Sequence, residues 1–450
     1  MPEPRILLAA PASGSGKTML TCGILQALHD RGLRVSSFKC GPDYIDPMFH
    51  EKVIGIRSGN LDLFFSGEET LRRLFFQNVG DAEISVIEGV MGYYDGLGAA
   101  SDEASTYKVT QALKVPVVLI VNARGQSLSA LATLEGFLRF RPDSGIKAVI
   151  FNQMSEHVFL PLRDEVRKLG VIPLGYVPRA EELVVESRHL GLVTPGEIAD
   201  LSERLHRLAG QMEKTVDLDA LIALAGEAPE LAVPPAPLLP QMPETKIAVA
   251  RDEAFCFFYR DNLKLMERLG AKLLFFSPIR DRQLPEGAQG LLLTGGYPEL
   301  YARALSENVS MRGAVAEAVQ NGMPCLAECG GFLYLHRELE DMEGTFYPMA
   351  GVFDARARRT KRLQRFGYIT LTANRKTGIL EAGEQIRGHE FHYYESEACG
   401  DAMTAVKPSG AKSWQCICAE GNLLAGFPHL FYESNPNVIM RFLRACAGEE

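Results

Sequence analysis

Ile6-Leu7-Leu8-Ala9-Ala10-Pro11-Ala12-Ser13-Gly14-Ser15-Gly16-Lys17-Thr18 decides how the first half of this chain is read. An apolar run enters a loop of small residues, and Gly-Lys-Thr then opens a helix-like pattern from Met19 to Arg31. That order builds a phosphate cradle. Loop N–H groups and the helix N-terminus point at the anion, Lys17 neutralises the outer phosphates, and the Thr18 hydroxyl can ligate Mg²⁺. Pro11 stands where the usual pattern has its first Gly, and it has no N–H to give. The cradle therefore rests on Ser13, Gly14, Ser15, Gly16, Lys17 and Thr18. An ordinary Gly/Ser loop is the bland alternative; a nucleotide is the expectation, with its use still open.

Downstream, strand, loop and helix recur. Val35-Ser36-Ser37-Phe38 reads as a strand that ends in Lys39-Cys40-Gly41-Pro42-Asp43-Tyr44-Ile45-Asp46-Pro47. Gly and Pro make this a loop, and it leaves the carboxyl end of a strand, where an open α/β sheet binds its ligands. Asp43 and Asp46 beside Lys39 could hold Mg²⁺, position a substrate or accept a proton. Asp is also common in turns, and that alternative stays open. Ile84-Ser85-Val86-Ile87 is a buried strand tipped by Glu88, with Gly89-Val90-Met91-Gly92 after it. One acid at the tip of an apolar strand, downstream of a phosphate loop, is where a Mg²⁺-organising carboxylate belongs. Val117-Val118-Leu119-Ile120-Val121 is apolar throughout, as in a strand covered on both faces. Ala148 to Phe151 ends at Asn152, whose amide suits a purine ring or caps the next helix. Leu174 to Pro178 adds one more short strand. Alternating strands and helices without hairpin signals predict an α/β fold with a doubly wound parallel sheet.

The whole chain has 450 residues, enough for two to three domains. A net charge of −9 argues against a broad nucleic-acid surface. The basic run Arg356-Ala357-Arg358-Arg359-Thr360-Lys361-Arg362 reads as a local anion grip or, equally, a solvated loop. Nine cysteines lack metal-like pairing, and Ile6 to Ala10 is too short for a secretory core; reduced thiols and a cytoplasmic protein are expected. No apolar run reaches the roughly 20 residues that span a bilayer, so no membrane partner is expected.

Prolines 229, 234, 235, 237, 240 and 243 mark an interdomain linker. The expected division is an ATP-type domain over 1–227, the linker over 228–244 and a second α/β domain over 245–450. In the second half, Lys246 to Ala250, Lys272 to Phe276 and Leu291 to Thr294 read as strands, and Ala302 to Asn321 as one long helix stopped by Gly322. Gly295-Gly296 follows the third strand and can present N–H groups to an oxyanion. Pro324-Cys325-Leu326-Ala327-Glu328-Cys329-Gly330-Gly331 then describes a nucleophile elbow: a short strand, a thiol in a sharp turn, glycines and a helix whose N-terminus would lower the thiol pKa. A thiol needs a base. His389 and His392 in Gly388-His389-Glu390-Phe391-His392, and His429 after the strand Leu423 to Phe427, compete for that place; position alone does not choose between them.

Taken in order, several of these stretches carry a resemblance over nearly the whole chain. They are the phosphate loop, Gly41-Pro42-Asp43-Tyr44-Ile45-Asp46-Pro47, Asn60-Leu61-Asp62, Ile87-Glu88-Gly89-Val90-Met91-Gly92, Ser187-Arg188-His189-Leu190-Gly191-Leu192, the Cys329 elbow, Gly388 to His392 and Pro428-His429. The chain resembles the ATP-dependent cobyrinic acid a,c-diamide synthases of cobalamin biosynthesis. In that family a dethiobiotin-synthetase-like ATP domain is fused to a triad-type, flavodoxin-like glutamine amidotransferase domain. The resemblance implies that Cys329 attacks glutamine to form a thioester, with His429 as base and the oxyanion held near Gly296 and Gly330. It leaves His392 as the runner-up base. Relatives often carry an acid two residues after the histidine; Phe431 occupies that place, so the third triad member stays open, with a dyad as one reading.

For the first half the resemblance implies ATP on Gly14 to Thr18, with Lys39 and Asn152 nearby, and Mg²⁺ on Thr18, Glu88 and Asp43. A substrate carboxylate would take the γ-phosphate, and ammonia would displace it. Asp43 and Asp46 would assist. The expected partners are cobyrinic acid or a related tetrapyrrole, glutamine and ATP, and a homodimer is compatible with the chain. Nickel-sirohydrochlorin as substrate, a cobyric acid synthase and a partition-type ATPase switch are the competing readings.

Overall fold

The computed structural model describes residues 3–179, 195–235, 237 and 239–449. Ser187 to Leu192 lies outside the described residues. The chain divides into two compact units, Met1–Ala236 and Pro237–Glu450. Among the described residues no helix is long and apolar enough to cross a membrane.

In the first unit β1 (Arg5–Ala9) sits mid-sheet. Around it lie β2 (Val35–Cys40), β3 (Arg57–Leu61), β4 (Ile84–Glu88), β5 (Val117–Asn122), β6 (Ile146–Asn152) and β7 (Ile172–Val177). The order is β3-β2-β4-β1-β5-β6-β7, all parallel. Successive side chains of a strand point to opposite faces. Ile6 and Leu8 therefore enter one core with Leu205, Leu208 and Met212 of helix Pro195–Thr215, while Leu7 and Ala9 enter another with Leu71 and Phe75 of helix Glu68–Val79. Two covered faces explain why these strands are apolar throughout. β3 escapes the sequence pattern because Arg-Ser-Gly-Asn-Leu carries little strand propensity; pairing with β2 overrides it. The first helix begins at Lys17, two residues earlier than expected.

The second unit opens with β8 (Thr245–Ala250), β9 (Ala271–Phe276), β10 (Gly290–Leu293) and β11 (Cys325–Glu328). Short strands follow: β12 (His336–Glu340), β13 (Phe346–Pro348), β14 (Phe353–Arg359), β15 (Arg365–Ala373), β16 (Gln385–His392), β17 (Tyr394–Ser396), β18 (Met403–Val406) and β19 (Ser413–Cys416). β20 (Cys418–Glu420), β21 (Leu423–Gly426) and β22 (His429–Leu430) complete the run. A six-stranded sheet, β20-β21-β11-β10-β8-β9, is parallel except for β20. Two further sheets, β13-β12-β14-β17 and β19-β18-β15-β16-β22, are largely antiparallel and were not expected from the sequence.

Two expectations need correction. The basic run is in part β14: Ala355 and Ala357 face the core, Arg356 pairs with Glu338 at 2.5 Å and Arg358 with Glu397 at 3.3 Å, so those two arginines already have carboxylate partners. The long helix is two helices, Ala302–Glu307 and Val309–Gln320. Asn308 separates them, capping the second through Met311 N–H and donating to the carbonyl oxygens of Pro278 and Asp281.

Candidate active sites

The loop after β1 turns on Gly14 (φ 76°) and Gly16 (φ 91°), a backbone that side chains disfavour. A Cβ on Gly16 would also collide with the Asn152 amide. That amide donates to Ser15 O at 2.9 Å, and its oxygen accepts Gln153 N–H. Asn152 is thus buried against the loop and braces it. Ser13 and Gly14 are exposed; Ser15 Oγ donates to Ala12 O. Lys17 Nζ donates to Met91 O at 2.6 Å and Ala12 O at 3.3 Å. Burial lowers its pKa to about 8, with Glu88 opposing and Lys39 assisting. The Gly89–Gly92 turn packs closely here, since a Cβ on Gly92 would meet Pro11 O at 2.7 Å.

Beside the loop lies a buried charge cluster. Glu88 at the tip of β4 accepts Thr18 Oγ1 and Lys39 Nζ on one oxygen, both at 2.7 Å. Lys39 also meets Asp46 at 2.5 Å and Asp43 at 4.0 Å. Burial alone would lower the Lys39 pKa, but Glu88, Asp46 and Asp43 hold it well above the ordinary value. Burial pushes the Glu88 carboxyl up against the pull of Lys39, and Asp43 rises through burial and Asp46. Asp43 also serves the turn alternative, because Oδ1 accepts Ile45 N–H at 2.8 Å. Asn60 braces that turn by donating to Gly41 O and Asp43 O, and Asp62 caps the next turn through Phe64 and Phe65 N–H. Three carboxyls face one buried ammonium, and Glu88 Oε2 is buried without a hydrogen-bond partner. A divalent cation would satisfy both. No three His, Cys, Asp or Glu side chains among the described residues form a metal cage.

In the second unit Cys329 follows β11 with φ 47° and ψ −101°, a strained backbone for a side-chain-bearing residue. Its N–H donates to Gly426 O at 2.7 Å, tying the elbow to the end of β21. A Cβ on Gly330 would lie 2.9 Å from Gly296 N, and one on Gly295 would collide with the His429 ring. Gly295-Gly296 therefore touches both the elbow and His429 at van der Waals range, which gathers nucleophile loop, oxyanion loop and imidazole. The following helix, Gly330–Tyr334, is only five residues long. Burial, then Glu299, Glu390 and Glu328, push the Cys329 thiol up, opposite to the lowering expected from a helix N-terminus. Burial, then His392, push His429 down to about 3. The resting pair is a neutral thiol and a neutral imidazole.

The three histidines separate by their contacts. His429 Nδ1 lies 3.9 Å from Glu328 Oε2. His389 stacks on His429 with ring centres 5.1 Å apart and meets Tyr259 OH through Nδ1. His392 donates from Nδ1 to Tyr394 O and stacks face to face on Phe427 at 3.9 Å.

Residues 6–216 match the CobQ/CobB/MinD/ParA nucleotide binding domain family, and residues 246–437 match the CobB/CobQ-like glutamine amidotransferase domain family. The cobyrinate a,c-diamide synthase of Caldanaerobacter subterraneus is 39% identical over 446 residues, 98% of each chain. That of Listeria innocua is 39% identical over 98% of this chain and 99% of its own, and that of Salmonella typhimurium 38% over 98% and 97%. This chain belongs to the cobyrinate a,c-diamide synthase family.

Within this family member, the sequence reading had missed Glu328. The signal was present: Leu326-Ala327-Glu328 is an acid at the tip of an apolar strand, the pattern that singled out Glu88. Tyr432, which donates to Glu328 Oε1 at 3.0 Å, had no signal in the sequence.

Proposed function

We propose that this chain uses ATP and glutamine to convert the a- and c-acetate carboxylates of cobyrinate into amides. The observation that carries the reading is a phosphate loop wired to a Lys39–Glu88–Asp46 cluster, with a strained thiol against a glycine loop and an imidazole on the same chain. The names of relatives matching over nearly the full length of both chains support the substrate.

In the second unit His429 takes the Cys329 proton, with Nε2 the nitrogen left for it because Nδ1 faces Glu328. The sulfur bonds to the side-chain carbonyl carbon of glutamine, and backbone N–H groups near Gly296 and Gly330 receive the oxyanion. The carbon–nitrogen bond breaks as His429 returns the proton to the leaving nitrogen, which departs as ammonia. Water then hydrolyses the thioester to glutamate.

In the first unit Gly14 to Thr18 hold the ATP phosphates, and Lys17 leaves its carbonyl partners for them. Thr18, Glu88 and Asp43 would hold Mg²⁺, which neutralises developing charge on the phosphates. A substrate carboxylate oxygen bonds to the γ-phosphorus and ADP leaves; ammonia then attacks the acyl carbon, and inorganic phosphate departs. Phosphorylation is needed because a free carboxylate is a poor acyl donor. Lys39 and Asp46 fix Glu88 in place.

The test measures ADP release and amide formation with cobyrinate or nickel-sirohydrochlorin, using glutamine or ammonium as nitrogen source. Cobyrinate is expected to stimulate ADP release with either nitrogen source, and Cys329→Ala to abolish only the glutamine-supported reaction. If neither tetrapyrrole stimulates release, the reading fails; stimulation by nickel-sirohydrochlorin alone moves the substrate to that ring. Glutamine-supported synthesis by Cys329→Ala removes the thiol from the mechanism.

A further inference from the structure

A neutral imidazole can take a thiol proton at Nε2 only if its own proton sits on Nδ1, and something must hold it there. In relatives with an acid two residues after the histidine, that acid does so. Here the position is Phe431, whose ring packs edge-on against Tyr259 with centres 5.3 Å apart, and no carboxyl can come from it. Glu433, four residues after His429, is paired with Arg268. Glu390 Oε1 accepts the Trp414 indole N–H at 3.4 Å and Oε2 lies 3.8 Å from His392, so it attends a different imidazole.

We propose that Glu328, the residue immediately before the nucleophile, is the positioning carboxyl of the glutaminase and completes a Cys329–His429–Glu328 triad. The proposal rests on the reading of Cys329 and His429 given above. β11 and β21 run parallel with Glu328 opposite Gly426, and the chain reaches His429 three residues later. Glu328 and His429 are therefore brought together by neighbouring strands of one sheet, not by adjacent positions in one loop. Oε1 accepts from Tyr432 OH at 3.0 Å, the Leu430 backbone also hydrogen-bonds the carboxyl, and Oε2 faces the imidazole. Both side chains are buried, with Glu328 8% and His429 2% exposed. The present 3.9 Å from Oε2 to Nδ1 is about 1 Å beyond hydrogen-bond range, and such contacts tighten when substrate fills the site. On closing with Glu328 ionised, Nδ1–H donates to Oε2 and Nε2 presents its lone pair to the thiol; burial raises the carboxyl to about 8, so this form grows as pH rises through that value. When the Cys329 proton moves to Nε2, the imidazolium keeps Nδ1–H on Glu328; no proton passes to the carboxyl.

The test uses the full chain with ATP, Mg²⁺ and cobyrinate, comparing Glu328→Gln, Glu328→Asp and Tyr432→Phe. For Glu328→Gln the glutamine-supported kcat is expected to fall about 10²-fold with KM for glutamine little changed, because only the proton-transfer geometry is lost. Ammonium-supported synthesis, which bypasses the thiol, should stay within about twofold of the parent, and Glu328→Asp should recover roughly tenfold of the loss. Tyr432→Phe should fall between the parent and Glu328→Gln. A Glu328→Gln enzyme that keeps its glutamine-supported kcat overturns the proposal. So does a parallel fall with both nitrogen sources, which marks a packing role, or a failure of Glu328→Asp to recover any of the loss. Glutamine-supported synthesis by Cys329→Ala would instead sink the reading of the thiol itself, whatever the Glu328 variants do.

Discussion

Lys39 is a single buried ammonium set among Glu88, Asp46 and Asp43. Removing one partner from a buried charge cluster costs far more than the cluster contributes, because the remaining charges stay desolvated. Lys39→Met is expected to lower the unfolding free energy by about 3–5 kcal/mol in Mg²⁺-free buffer, read by denaturant titration. The double variant Lys39→Met/Glu88→Gln should be more stable than the sum of the two single losses, since the second change removes the stranded charge. A single-variant loss below about 1 kcal/mol would mean that the carboxyls take up protons and leave Lys39 little to do. At this scale the sequence already pointed to Lys17, Thr18, Lys39, Asp43, Asp46 and Glu88, since each sits at the tip of a strand of an apolar, parallel sheet or in the turn or first helical turn that follows one. It could not show that Asn152 would be drawn onto Ser15 O, or that Glu328 would face His429. Both contacts join residues 100 or more positions apart across neighbouring elements.

Among the elements, the elbow stores strain and the sheet around it supplies the constraint. Cys329 is held at φ 47° by its N–H bond to Gly426 O and by Gly330 pressed on Gly296. Glycine adopts such a backbone without steric cost whereas alanine does not. Cys329→Gly is therefore expected to be more stable than Cys329→Ala by about 1–2 kcal/mol, the reverse of the usual order, with thermal melts as the check. Equal or lower stability of the glycine variant would show that the turn is not strained. The parallel strands were readable because burial on both faces makes them unbroken apolar runs. The antiparallel strands of the second unit were not. β14 alternates core alanines with arginines, so its composition resembles a solvated loop, and β13, β17 and β20 have three residues each, too few to display a period.

On the scale of the whole molecule, each compact unit closes its own cores. Leu263, Ile369, Leu424 and Phe442 share one core of the second unit, and Leu291, Phe332, Tyr394 and Ala425 share the other. The first unit keeps hold of the start of the proline segment, because Arg5, fully buried, donates to Pro229 O at 2.6 Å. A cut should therefore follow residue 236 and not 227. The segment 237–450 alone is expected to melt in one cooperative transition, and its midpoint should depend on pH in a definite direction. Burial raises the Glu299 carboxyl to about 7 and the Glu328 carboxyl to about 8, so the folded state holds protons that the unfolded chain has already released above the ordinary carboxylate range. Stability is lost as pH rises through that interval. His336, His389 and His429 act oppositely: burial lowers all three, so they cost stability as pH falls through the ordinary histidine range. Above about pH 7.5 those histidines are neutral in both states while Glu328 still holds its proton only in the folded one, so the midpoint should fall from pH 7.5 to 8.5. Glu328→Gln should flatten the slope. A midpoint that rises from pH 7.5 to 8.5 would show that these carboxyls are solvated, and a broad non-cooperative melt that the second unit does not stand as a folded body of its own.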